Sequence, residues 1–321
     1  MRSDNRGDQA EGLRRLLVCN QTRVVTVVSG KAGVGRTSAT INLAYALAHS
    51  GKNVLVLDEN PAPNNLTNHL GLFEKYDLLD VVQRRCKLRE AILTDKGFYI
   101  LSAARVLVRG GINRMGEKTQ KNGSGFDTLR HDEHQRLKNA LTAASDGMDV
   151  MLIDAAPPAQ TTTPPMSLVN GAAALLVVEA TPSGITESYA LIKRLATENI
   201  RQQFEIVVNK VGNEKAAMTV FENMARVTRR NLSAHLEYLG FIPFDDSVNC
   251  AARLKKSVIE AFPGAVSAKS YQKLSQKLLC LSMQPDEVEN GVSDIMQNLM
   301  KQVSQPPATL AEFHEAFSAN V

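Results

Sequence analysis

Residues 24–38 constrain this chain more than any other stretch. A β-branched apolar run, Val24 to Val28, enters a glycine-rich turn, Ser29-Gly30-Lys31-Ala32-Gly33-Val34-Gly35-Arg36, and Thr37-Ser38 opens a helical pattern that continues through Leu47. Strand, glycine loop and helix N-terminus together make an anion site. Successive backbone N–H groups converge there, and the helix dipole adds partial positive charge. The spacing is that of a phosphate-binding P-loop, G-x-x-x-x-G-[K]-[ST], with two departures. Lys31 directly follows the first glycine, and Arg36 stands where a lysine is usual.

The rest of the chain supplies a matching scaffold. Strand candidates are Arg23–Val28, Asn53–Leu57, Phe98–Leu101, Asp149–Ile153, Ala172–Val178, Glu205–Val208 and Leu239–Ile242. Amphipathic segments lie between them, at Thr37–His49, Glu133–Ala144, Ile185–Glu198 and Ala217–Leu232. Strands alternating with helices imply right-handed crossovers and a three-layer α/β fold. Its mostly parallel sheet of seven to eight strands is covered on both faces. With 321 residues, 44% hydrophobic, the chain can bury one sizeable core with appendages. We divide it into an N-terminal extension (1–22), a nucleotide-binding domain (23–284) and a C-terminal amphipathic tail (285–321). The glycine-rich, charged stretch 109–131 reads as a long loop.

Composition removes several classes of function. A net charge of +4 gives no case for a dedicated nucleic-acid surface. Cys19, Cys86, Cys250 and Cys280 are too far apart for a C-x-x-C pair, and are expected to be reduced, buried thiols rather than cluster ligands. No signal peptide or apolar run of spanning length is visible, so a soluble or peripheral protein is expected.

Two strand ends carry candidate carboxylates. Val54-Leu55-Val56-Leu57-Asp58-Glu59-Asn60-Pro61 ends a buried strand on Asp58, with Asn60 two residues on. Val150-Met151-Leu152-Ile153-Asp154 is a Walker B pattern, a buried strand ending in a carboxylate suited to Mg²⁺, for which Thr37 supplies a hydroxyl. Read alone, either is a common acidic strand end.

The extra lysine decides among P-loop branches. The loop resembles the deviant P-loop of the MinD/ParA ATPases, K-G-G-V-G-K-T. The resemblance implies that Gly30, Lys31, Ala32, Gly33, Val34, Gly35, Arg36, Thr37 and Ser38 bind ATP. Lys31 would reach a partner's phosphates across a nucleotide-sandwich homodimer. It also implies Mg²⁺ beside Thr37, Asp154 and Asp58, an adenine contact from Asn209 and a pocket wall at Pro243. The family segment D-x-D-P has Asn60 in place of its second, water-orienting Asp. Lys31, Asp58 and Asn60 are therefore the catalytic candidates, and Arg36 with Asn60 points to slow hydrolysis or almost none. In register, Pro158 replaces a glycine of the family's Walker B segment. Ala180–Lys193 matches a further family segment at Pro182, Tyr189 and Lys193.

The two ends narrow the reading. Asp8-Gln9-Ala10-Glu11-Gly12-Leu13-Arg14 is similar to the D-Q-A-x-x-L-R head of the flagellar-number regulators FlhG and FleN. That head implies docking of residues 8–17 on an FlhF-type signal-recognition GTPase, through Asp8, Gln9, Ala10, Leu13 and Arg14. Gln9 would help to orient water there. Packing of Leu13, Leu16 and Leu17 on the core is the competing reading. Other implied partners are a flagellar transcriptional regulator or switch-complex protein, with a cytoplasmic location and a peripheral station at the inner membrane or cell pole. The tail places Val288, Val292, Ile295, Met296, Leu299, Met300 and Val303 on one helical face. Its polar side carries Glu287, Glu289 and Asp294, where a membrane helix favours basic residues. Packing on the core competes there with membrane contact. Two alternatives stay open: a ParA-like partitioning ATPase for another cargo, and a pseudo-ATPase adaptor.

Overall fold

A computed structural model describes residues 22–107, 129–156, 173–198 and 200–281. The N-terminal motif, residues 109–128 of the expected loop, Pro158 and the tail lie outside the described residues. Among the described residues there are eight strands: β1 Arg23–Val28, β2 Val54–Asp58, β3 Leu93–Asp95, β4 Phe98–Ser102, β5 Val150–Asp154, β6 Ala173–Glu179, β7 Gln203–Val211 and β8 His235–Pro243. They form one sheet in the order β3-β4-β2-β5-β1-β6-β7-β8. Seven strands are parallel, and β3 alone pairs antiparallel, with β4.

The sheet is covered on both faces because its strands are apolar on both. Val25, Val27, Val54, Val56, Ile100 and Leu152 pack beneath α1 (Arg36–His49) and α11 (Val266–Cys280). Across the sheet, Leu55, Leu57, Leu101, Met151 and Ile153 meet α3 (Leu78–Val82) and α6 (His131–Ser145). Farther along, Leu176, Val178, Phe204, Ile206 and Val208 meet α7 (Pro182–Thr197) and α8 (Glu214–Asn231). The helices α2 (Leu66–Leu70), α4 (Leu88–Ala91), α5 (Ala104–Leu107), α9 (Asp246–Arg253) and α10 (Val258–Ala261) are short links and covers.

Two expectations need correction. Cys250 and Cys280 are exposed free thiols, and Cys86 is only half-buried. Cysteine is small enough to sit on the polar side of a helix at little cost, so residue type alone does not place it inside. The expected loop also ends early, because Leu129 is buried and α6 begins at His131. β3 was not foreseen; it is three residues long and hairpins to β4 through Lys96 and Gly97, both at positive φ. That two-residue turn has the twist that a hairpin needs.

Candidate functional site

The strand order puts three functional segments side by side. β5 lies between β1 and β2, so Asp154 is in register with Val27 on one side and with Asp58 on the other. The loop leaving β1 therefore starts beside both carboxylates, at the carboxyl ends of the strands where ligands gather in open α/β sheets.

Close packing holds the loop in shape. A Cβ on Gly30 would lie 2.4 Å from backbone atoms of Glu187 and Ser188 in α7, so only glycine fits there. Gly35 has φ +94°, and a Cβ there would lie 2.5 Å from Asn209 Nδ2. From this left-handed residue the chain turns into α1, which has no side-chain cap at Gly35 and no acidic residue in its first turn. The helix dipole at that end remains available to an anion. Ser38 lies one residue beyond Thr37, and Tyr271 of α11 hydrogen-bonds to its side chain.

The carboxylate side is a closed buried network. Arg36 Nε donates to Asp154 Oδ1 at 2.9 Å, and Arg36 Nη2 donates to Asn60 Oδ1 at 2.5 Å. Thr37 Oγ1 donates to Asp154 Oδ2 at 2.7 Å, and Thr40 Oγ1 to Asp154 Oδ1 at 3.3 Å. Asn60 Nδ2 reaches Asp154 Oδ2 at 2.8 Å and Asp58 Oδ1 at 2.9 Å. Asp58 also accepts from the backbone N–H groups of Asn60 (2.9 Å) and Leu66 (2.5 Å), which ties the β2 end to the start of α2. Burial and the charge of Asp154 push the Asp58 carboxyl up to about 7, against the pull of those donated bonds. Thus Arg36 and Asn60, each a departure from its family segment, are bonded directly to one another.

The other rim is built by β6, β7 and α7. Lys31 Nζ donates to Ser183 Oγ in the first turn of α7 at 2.8 Å, and Ser29 Oγ donates to the Lys31 carbonyl at 3.0 Å. Asn209 Nδ2 donates to the Val34 carbonyl at 2.7 Å, while its Oδ1 accepts from Lys210 N. In this arrangement the Asn209 amide grips the loop. Pro243 ends β8 opposite Val211, one strand farther out. Lys210, Glu179 and Ser183 were not anticipated. Lys210 Nζ bonds to the Gly33 carbonyl at 2.9 Å and to Glu179 at 2.8 Å, from a backbone at φ 57°. Their one legible signal was position, since Glu179 and Lys210 lie at the carboxyl ends of strands and Ser183 in the helix turn that follows one. Buried Glu59 was also missed; its carboxylate accepts from Ala156 N at 3.1 Å.

The donor set suits a Mg-nucleotide. Thr37, Asp154 and Asp58 offer oxygen only, which a hard cation prefers, and the loop offers backbone N–H groups to phosphates. Among the described residues, no group of three or more Asp, Glu, His or Cys side chains is placed to hold a metal alone. In nucleotide sites phosphate oxygens and water complete such a Mg²⁺ shell.

Comparison with known proteins agrees with this geometry. Residues 25–258 match the model of the CobQ/CobB/MinD/ParA nucleotide binding domain. The chain belongs to the MinD/ParA family. Within it, the chain is 33% identical over 260 residues to the antiactivator FleN of Pseudomonas aeruginosa, covering 80% of this chain and 86% of that protein. It is 25% identical over 282 residues to the flagellum site-determining protein YlxH of Helicobacter pylori, covering 87% of each. The cell division ATPase MinD of Pyrococcus furiosus shares the fold, with a TM-score of 0.59 at 22% identity over 82% of this chain and all of that one. The chain thus lies in the FlhG/FleN branch of the MinD/ParA ATPases. No helix among the described residues is long and apolar enough to cross a membrane.

Proposed function

We propose that this protein is an ATP- and Mg²⁺-binding switch that dimerises on nucleotide and regulates flagellar number or placement. The observation that carries the reading is the meeting of a P-loop carrying the early Lys31 with Thr37, Asp154 and Asp58 at adjoining strand ends. YlxH is a flagellum site-determining protein by name and FleN an antiactivator, which supports a regulatory role tied to the flagellum. Lys31 rests on Ser183 at the exposed rim. From there it is free to exchange that hydroxyl for a neighbouring subunit's phosphates.

In the chemistry of the site, Mg²⁺ would neutralise phosphate charge beside Thr37 and Asp154. The loop backbone would orient the phosphates, and the Asn60 amide would hold water without accepting its proton. Arg36 brings a broad planar fork where a compact cation is usual, so transition-state placement suffers more than binding. Slow turnover follows, with the ATP-bound state long-lived. Residues 8–17 would dock on an FlhF-type GTPase, with Gln9 entering its site, and the tail would supply a peripheral membrane or partner contact.

Light scattering with ATP and Mg²⁺ tests the switch. Lys31→Ala should abolish ATP-dependent dimerisation and leave thermal stability unchanged, because the side chain is not part of the core. An unchanged dimer fraction would reject the cross-subunit role. For the partner, a peptide of residues 1–22 should accelerate GTP hydrolysis by the FlhF-type GTPase, and Gln9→Ala should remove most of that acceleration.

A further inference from the structure

The metal side of the site is already filled by a side chain. Asp154 is fully buried, and both of its oxygens are taken. Oδ1 accepts from Arg36 Nε and Thr40, and Oδ2 from Thr37 and the Asn60 amide. The Arg36 guanidinium is itself 9% exposed, so it sits within the network rather than over the open loop. Its fork is used at two points: Nε on Asp154, and Nη2 on Asn60. Asn60 answers both ways, its oxygen accepting from Arg36 and its nitrogen donating to Asp154 and Asp58. An amide alone fills this place. A carboxylate would have no donor to offer Asp58 and Asp154, and a lysine at position 36 would carry its charge on a single nitrogen.

We propose that Arg36 is an internal cation that closes the Mg²⁺ position in the nucleotide-free protein, with Asn60 as the amide that locks it there. A free divalent ion meets a carboxylate already neutralised by a buried, hydrogen-bonded guanidinium. The phosphates of a Mg-nucleotide would offer the Arg36 guanidinium a new anionic partner, which would free the Asp154 carboxylate to hold the cation. Metal and nucleotide then enter together or not at all. This makes Arg36 a positioning residue that selects the Mg-nucleotide complex over free Mg²⁺. The inference rests on the nucleotide-site reading above and adds an order of events to it.

The test is the thermal midpoint of the full-length protein in EDTA and in millimolar Mg²⁺, without nucleotide. Wild type should show no Mg²⁺-induced shift. Arg36→Met opens Asp154, Asp58, Thr37 and Asn60 as an oxygen cage; its midpoint should fall in EDTA and rise by several degrees when Mg²⁺ is added. Asn60→Ala should respond in the same direction by a smaller amount. Should Arg36→Met fail to fold, Arg36→Lys supplies the measurement, again with a positive shift, since one nitrogen holds Asp154 less completely. A wild-type shift as large as that of the variants, or no shift in any folded Arg36 variant, overturns the proposal. A further arm separates it from the functional reading. If Mg-ATP fails to stabilise wild type, nucleotide binding is wrong, while the comparison with Mg²⁺ alone still decides whether Arg36 closes the metal position.

Discussion

Two buried arginine–aspartate networks lie at the same end of the sheet, and only one is suited to a ligand. The first joins Arg36, Asn60, Asp154 and Asp58 beside the P-loop. The second joins Arg105 to Asp77 and to Asp80 Oδ2 (2.7 Å), with Arg85 on Asp80 Oδ1 at 2.9 Å. A cavity of about 360 Å³ is lined by Asn60 on one side and by Asp77, Asp80 and Arg105 on the other. Among the described residues the second network's ion pairs join two guanidinium groups to two carboxylates, and Asp77 and Asp80 also cap the first turn of α3 through reciprocal backbone bonds. The first has one guanidinium for two carboxylates, and a neutral amide fills the gap. Balanced charge finishes a structure, whereas surplus negative charge kept in place by donors leaves a position for a cation.

Breaking the balanced network should have the largest effect. Arg105→Met removes the guanidinium that bonds both Asp77 and Asp80; it should cost about 3–5 kcal/mol in urea denaturation. A loss below about 1 kcal/mol, the scale of surface pairs, would erase the distinction between the two networks.

The unbalanced network should show itself as a pH dependence. Asp58 is raised to about 7 in the folded protein, against about 3.9 in an unfolded chain. Between those values the native state binds a proton that the unfolded state releases. This group's contribution to stability therefore falls as pH rises from about 4 to about 7, and is flat above. Asp58→Asn should remove that slope and be relatively more stable at pH about 8. Midpoints measured across this range in EDTA decide it, and an unchanged slope in the variant would remove Asp58 from the surplus charge. Asp245 acts in a separate window. Burial pushes its carboxyl up, but donated bonds from Ser267 and Ser247 outweigh this and hold it at about 2. Its contribution is lost only as pH falls below about 4.

The smallest expected effect sharpens the comparison at the level of chemistry. Arg36→Lys together with Asn60→Asp returns a compact cation and a water-orienting carboxylate, and should raise ATP turnover about tenfold, roughly 1.4 kcal/mol of barrier. Steady-state phosphate release measures it. No gain would mean that the present pair is already competent, or that another step limits the rate.

Much of the fold was legible in the sequence because it rests on local, repeated signals. Strands of β-branched residues and helices of 3.6-residue periodicity alternate, and this alternation fixes a parallel sheet. The seven foreseen strands appear within a few residues of their expected bounds, widest at β7 and β8, where the structure adds residues at both ends. β3 escaped because three residues carry no periodicity; its only trace was the Lys96-Gly97 turn. The P-loop could be read because its chemistry is contiguous, and Asp58, Asn60 and Asp154 because each ends an apolar run. Sequence also exposed Arg36 and Asn60 as departures from a family pattern. That the two are partners, separated by 24 positions, was decided only when β5 placed Asp154 between their strands. The same holds for Lys210 on Gly33 and Asn209 on Val34, contacts across more than 170 residues. Hydrogen bonds of that range depend on strand order and register. Both are settled by packing the whole sheet, and no local stretch of sequence encodes them.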